Sequence, residues 1–290
     1  MKLTAIPPTG IGIQIERVYE RILVAVDGTP ASFAAALFAA SVRAPAGALH
    51  LLCVMDRAHP PLSSPAGASL TERCEHVLAS ARAAIVGRAP VAERVVASGQ
   101  ALPAILEMEE AIDADLVCVG SGRRRLRPGH VSTAVAKGSQ ASVAILREGT
   151  IAVPRLSRLA VGLRRGPTAE AAARQAFRVA AGTGASVTLF HALVDAPETA
   201  VHAEHERDAQ ALLGELGEEA RALGLSPTAR ILHGDPVEAL VAAALEMRAD
   251  AIFVGTGTRR PLRPLGRVVS RLLTHCIVPL VICREPARSA

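Results

Sequence analysis

Apolar residues in this chain fall into short runs bounded by turn residues and longer segments with helical spacing, and the two kinds of stretch alternate. Runs of about four to eight apolar residues suit buried strands, whereas a helix needs about ten or more residues. On this basis strands are predicted at about 21–26, 48–54, 93–97, 115–120 and 142–147, with helices at about 31–43, 70–87, 101–112 and 130–137. The same order then returns, with strands at about 157–163, 186–193, 227–232, 250–255 and 279–283 and helices at about 168–181, 198–223, 236–247 and 266–274. Strands that alternate with helices give parallel sheets covered on both faces, because each crossover lays a helix on the sheet.

The repetition extends to individual residues. Gly99 to Gly122 overlays Gly234 to Gly257 at a constant offset of 135, and ADLVCVGSG from Ala114 matches ADAIFVGTG from Ala249. The first strands also correspond, with RILVAV from Arg21 against RLAVGL from Arg158. Asp235 followed by Pro236 reads as an N-cap and a first-turn proline, which starts a helix. The chain is therefore expected to hold a 17-residue N-terminal extension and one α/β domain twice, at 18–148 and 155–285. The link from 148 to 154 is too short for a long tether, so the halves should touch.

Composition supports this division. At 290 residues the chain exceeds one typical domain, and 50% hydrophobic with 20% charged residues excludes a disordered polymer. Only 2% of residues are aromatic, so the core must be aliphatic. The formal net charge is +5 and rests mainly on arginine, which suits planar phosphate or carboxylate groups. With no Trp, one Tyr and five Phe, the chain lacks aromatic platforms for bases, which argues against nucleic acid. Its five cysteines are odd in number and form no C-x-x-C pair, so a reduced, cytoplasmic setting is expected. No apolar run reaches membrane-span length, so no membrane insertion is expected.

In open α/β sheets ligands bind beyond the carboxyl ends of strands where strand order reverses. Strand one is followed by Asp27-Gly28-Thr29-Pro30, and strand four by Gly120-Ser121-Gly122 and the arginines 123, 124, 125 and 127. Glycine admits a close ligand and a helix start favours an anion, so this is a candidate phosphate cradle. The alternative is that each glycine merely permits a turn. No Walker loop or dinucleotide fingerprint is present, the nine histidines are scattered, and no catalytic set or metal cluster can be nominated. Cys53 and Cys118 near strand ends are either oxidant sensors or buried small hydrophobes, and the second reading is favoured.

The order of these pieces resembles the universal stress protein family over nearly the whole chain. The carriers are ILVAVDGTPAS from Ile22, the helix starts at Gly99 and at Gly234-Asp235-Pro236, and Ala-Asp before a strand ending in Val-Gly-Ser or Val-Gly-Thr. GHVS from Gly129, GRVVS from Gly266 and the final strands SVAIL from Ser142 and VPLVI from Val278 complete the set. The resemblance implies two tandem open parallel five-stranded sheets of order 3-2-1-4-5 with helices on both faces. It also implies that the last strands, about 142–147 and 279–283, pair the halves into a pseudo-dimer.

Nucleotide-binding members share a loop of Gly, two residues, Gly, nine residues, Gly and a hydroxyl residue. Here Gly120 to Gly129 is a step of nine with His130 next, and Gly255 to Gly266 is a step of eleven with Arg267 next. The resemblance puts a ribose carboxylate at Asp27 and the adenine edge at Val54, with Arg164 and Ala192 at the matching places. The implied site is in the first half, through Asp27, Val54, Gly120, Gly122, Gly129, His130, Val131 and Ser132. Gly255, Gly257, Gly266 and Arg267 are the weaker candidates of the second half. ATP or AMP is the implied ligand, with Mg only alongside ATP. The implied function is a regulatory, non-enzymatic stress-response protein, with a homodimer and a further protein partner as open expectations. The alternatives are an ATP switch with slow hydrolysis and a nucleotide-free interaction module.

Overall fold

The computed structural model describes residues 19–56, 67–87, 91–96, 99–122, 130–150, 155–194, 200–256 and 265–284. Its first half runs β1 (Tyr19–Ala25), α1 (Pro30–Val42), β2 (Arg43–Val54), α2 (Leu70–Ala84), β3 (Val91–Val96), α3 (Ala101–Ala111), β4 (Leu116–Ser121), α4 (His130–Gly138) and β5 (Ser142–Arg147). The second runs β6 (Arg158–Leu163), α5 (Pro167–Thr183), β7 (Ser186–Leu193), α6 (Ala200–Ala222), β8 (Thr228–His233), α7 (Pro236–Glu246), β9 (Ala251–Gly255), α8 (Arg267–His275) and β10 (Leu280–Cys283).

The strands form one sheet in the order β3-β2-β1-β4-β5-β10-β9-β6-β7-β8. Strands are parallel within each half, and β5 and β10 join the halves antiparallel, with Ala144 opposite Val281. The two expected sheets are thus halves of one. The unpaired backbone edge that each final strand would expose is satisfied by its copy.

Alternation along the strands sends side chains to two cores. Ile22 and Val24 pack beneath α1 and α2, and Leu23 packs beneath α3 and α4. In the second half Phe253 lies in the first core with α5 and α6, and Ile252 and Val254 lie in the second with α7 and α8. Helix α1 buries Ala31, Ala34, Ala35, Ala36 and Ala39, small residues that bring its backbone close to the sheet.

The repeated Ala-Asp pair is architectural. Asp115 accepts hydrogen bonds from the backbone N–H of Glu20 at 2.6 Å and Arg21 at 3.2 Å. Asp250 does the same for Ser157 at 2.6 Å and Arg158 at 2.8 Å. Each aspartate pins the start of the first strand of its half, at the opposite end of the sheet from the ligand crevice. The seam between halves is polar on one side. Gln175 accepts from Tyr19 Oη at 2.8 Å and Ser142 Oγ at 2.9 Å, and donates to the Arg284 carbonyl at 2.7 Å.

Candidate functional site

Strand pairing fixes which residues of the two halves are equivalent. Ile22 on β1 pairs with Leu116, and Leu159 on β6 pairs with Ala251, so Asp27 and Arg164, each five residues further on, hold the same place. At the end of β1, Asp27 is exposed, and its Oδ1 accepts from Thr29 N at 3.0 Å and Thr29 Oγ1 at 2.7 Å. Thr29 in turn caps α1 by accepting from Ser32 N at 3.2 Å. The carboxylate is therefore presented at the crevice and also tied into a helix cap. In the second half Gly166 is the N-cap of α5 and supplies no side-chain acceptor.

The glycines after the fourth strands separate into two kinds. A Cβ on Gly120 would stand 2.6 Å from Ser32 N and 2.8 Å from Ala31 C. A Cβ on Gly255 would stand 2.3 Å from Thr168 O and 2.6 Å from Ala169 N. Both glycines thus let a helix start pack onto the strand end. Among the described residues Gly122 has nothing within 4 Å of such a Cβ, so their packing does not require it. Val54 is half-buried and its carbonyl accepts from Asp56 N at 3.0 Å. Val131 is exposed, Ser132 is buried, and His130 opens α4. Gly129, Gly257, Arg123, Arg124, Arg125, Arg127, Arg259, Arg260 and Arg263 lie outside the described residues.

In the second half a cavity of about 430 Å³ opens at the carboxyl ends of β6, β7 and β9. Its apolar lining includes Phe190, Ala192, Leu232, Leu240 and Val254. Its polar lining is Arg164, Thr168, Thr256 and Arg267, together with the start of α8 at Gly266. Among the described residues no acidic side chain lines it. Strand β6 ends at Leu163, paired with His191, so the β7 backbone at Ala192 runs past the end of its neighbour. That leaves a backbone edge beside the aromatic ring of Phe190. The Gly266 N–H donates to the Thr256 carbonyl at 3.3 Å, which ties the start of α8 to the end of β9. Gly266 caps α8 without a side-chain acceptor, so the helix start favours an anion.

Arg271, one turn beyond Arg267 on α8, forms an ion pair and hydrogen bond with Asp235, the N-cap of α7. Asp235 also accepts from Val237 N at 3.0 Å and Glu238 N at 3.1 Å. The Arg271 guanidinium, then the Glu238 N–H, hold its carboxyl below the ordinary value of 3.8. This clamp sets α8 against α7, and with it the position of Arg267. From sequence, Asp235 is legible as a cap, whereas its pairing with Arg271 needs the fold. Neither Arg164 nor Arg267 has an ion-pair or hydrogen-bond partner among the described residues. The thiols are of the bland kind: Cys53 and Cys118 are fully buried and burial pushes both well up, so neither is a ready thiolate. Burial and the Arg165 charge lower the pKa of His191, which holds it neutral at pH 7. Among the described residues no group of three or more His, Cys, Asp or Glu could hold a metal, and no helix is long and apolar enough to cross a membrane.

Comparison with solved structures places this architecture. A universal stress protein from Archaeoglobus fulgidus DSM 4304 aligns with a TM-score of 0.69 at 20% identity, covering 93% of this chain and 97% of its own. A putative universal stress protein from Pseudomonas aeruginosa UCBPP-PA14 aligns with a TM-score of 0.64 at 13% identity, covering 92% and 93%. A single-domain universal stress protein solved in complex with cAMP covers 46% of this chain and 99% of its own, at 24% identity and a TM-score of 0.39. No curated protein sequence matches the chain significantly. The model of the universal stress protein family matches twice, at residues 18–147 and 156–284, and the chain belongs to that family.

Proposed function

We propose that this chain is a regulatory, non-enzymatic stress-response protein that binds an adenine nucleotide, and that the second half holds the principal site. The observation that carries this reading is the 430 Å³ cavity at the carboxyl ends of β6, β7 and β9. Its volume falls in the range of small-molecule sites, about 300–1,000 Å³. An apolar wall with an aromatic ring and a strand edge suits a planar base, and Arg267, without a partner among the described residues and at a helix start that lacks a side-chain cap, suits a phosphate. The described polar lining consists of two arginines and two threonines, groups that suit holding an anion.

A second reading places ATP or AMP in the first half, where the exposed Asp27 could accept from ribose hydroxyls at the end of β1. Mg would accompany ATP alone. Titration calorimetry of the nucleotide-stripped full chain with AMP and ATP separates the readings. Saturable binding weakened about tenfold or more by Arg267→Ala supports the second half. Binding sensitive to Asp27→Ala alone would move the site to the first half, and none at millimolar ligand would leave an interaction module.

A further inference from the structure

The two halves differ in charge at one equivalent position, and the difference has a chemical consequence. Asp27 in the first half is an acceptor, whereas Arg164 in the second is a donor-only cation that lines the cavity. A carboxylate at this place selects free ribose hydroxyls, because it accepts hydrogen bonds from them. In dinucleotide sites of parallel α/β sheets, an arginine near the ribose instead accommodates a phosphate on the sugar.

We propose that the second-half cavity selects an adenine nucleotide carrying a second phosphate on its ribose, at the 2′ or 3′ position, over one phosphorylated at the 5′ position alone. This rests on the nucleotide reading above and specifies its ligand.

Three observations support it. The consecutive arginines after β6 are divided in role. Arg165 turns to α6, where it donates to the Asp208 carbonyl at 3.3 Å and pairs with Glu215 at 3.7 Å, while Arg164 faces the cavity. Arg164 has no partner among the described residues, so its guanidinium is available for an anion. The described lining contains two arginines, one after β6 and one at the start of α8, and no acidic residue to repel a second phosphate. A ligand with a single phosphate would leave one of these cations uncompensated.

The test is calorimetric titration of the nucleotide-stripped full chain with AMP, adenosine 2′,5′-bisphosphate and adenosine 3′,5′-bisphosphate. It is carried out in an Asp27→Ala background so that only the second half reports. At least one bisphosphate should bind about tenfold to a hundredfold more tightly than AMP, the range of one charge-assisted contact. Arg164→Ala should collapse that ratio to within about threefold of one. Because Arg164 is exposed, the substitution should leave folding intact, as circular dichroism would verify. Equal affinity for AMP and both bisphosphates would overturn the selectivity while the nucleotide reading stood. A bisphosphate preference that survives Arg164→Ala would also overturn it. Failure of all three ligands to bind would refute both readings together.

Discussion

Replacing Gly255 by alanine tests whether the glycine after the fourth strand exists for helix packing or for a ligand. The added Cβ would stand 2.3 Å from Thr168 O, 2.4 Å from Thr168 C and 2.6 Å from Ala169 N, all backbone atoms at the start of α5. Ordinary contact begins at 3.4 Å, so α5 must retreat from β9 by about an ångström, with no flexible side chain to absorb the change. Overpacking of this kind costs about 1–3 kcal/mol. For a chain of 290 residues, an unfolding entropy of about 2.1 cal/mol/K per residue converts this to a fall of roughly 2–5 °C in Tm. Thr168 and Ala169 also line the cavity, so nucleotide affinity should fall with stability. Gly122→Ala is the control, since its Cβ would meet nothing within 4 Å among the described residues and its Tm should be within about 1 °C of the parent. Differential scanning calorimetry of the two variants decides. Equal midpoints for Gly255→Ala and Gly122→Ala would refute the packing account.

Two further perturbations probe the seam and the clamp. Gln175→Leu strands the buried Tyr19 hydroxyl and removes an acceptor from Ser142, so denaturant unfolding should show a loss of about 1–3 kcal/mol; a change under about 0.5 kcal/mol would show that the Gln175 hydrogen bonds do not hold the halves together. For Asp235 the folded pKa lies below 3.8, so its contribution is complete above that value and is lost as pH falls through the folded pKa. The stability difference between the parent and Asp235→Asn should therefore be constant from pH 7 to 5 and shrink below pH 3.8; a difference that widens on acidification would contradict the ionised clamp.

Much of the fold is legible in the sequence because the repeat doubles each signal. The helix start at Asp235-Pro236 and the strands at 142–147 and 186–193 stand where hydrophobic runs and caps put them. Other features depend on contacts between distant segments. Strand β2 begins at Arg43 rather than near 48, because its pairing with β1 slips between Tyr19 and Arg21. Arg43 Nη1 gathers the carbonyls of Ala44, Pro45 and Gly47 at 2.6–2.7 Å, and Pro45 and Gly47 disguise the strand in the sequence. Gly120, Gly122 and Gly255 look alike as glycines after a strand, and only the helix backbone over two of them separates packing from freedom. The Ala-Asp repeat is visible in the sequence as a match, but its role at the amino ends of the strands follows from the hydrogen bonds of Asp115 and Asp250. For the candidate site, Arg164 and Arg267 are legible as positions equivalent to a carboxylate and a hydroxyl residue. That both line one cavity with Phe190 is a property of the folded sheet.

Photolabelling with 8-azido-AMP, followed by peptide mapping, tests the location of the site most directly. The account predicts saturable labelling, competed by AMP, on peptides spanning β7 or the β8–α7 turn, near Phe190, Ala192 and Leu232. Labelling confined to peptides around Val54, or none that AMP competes, would contradict a nucleotide site in the second half.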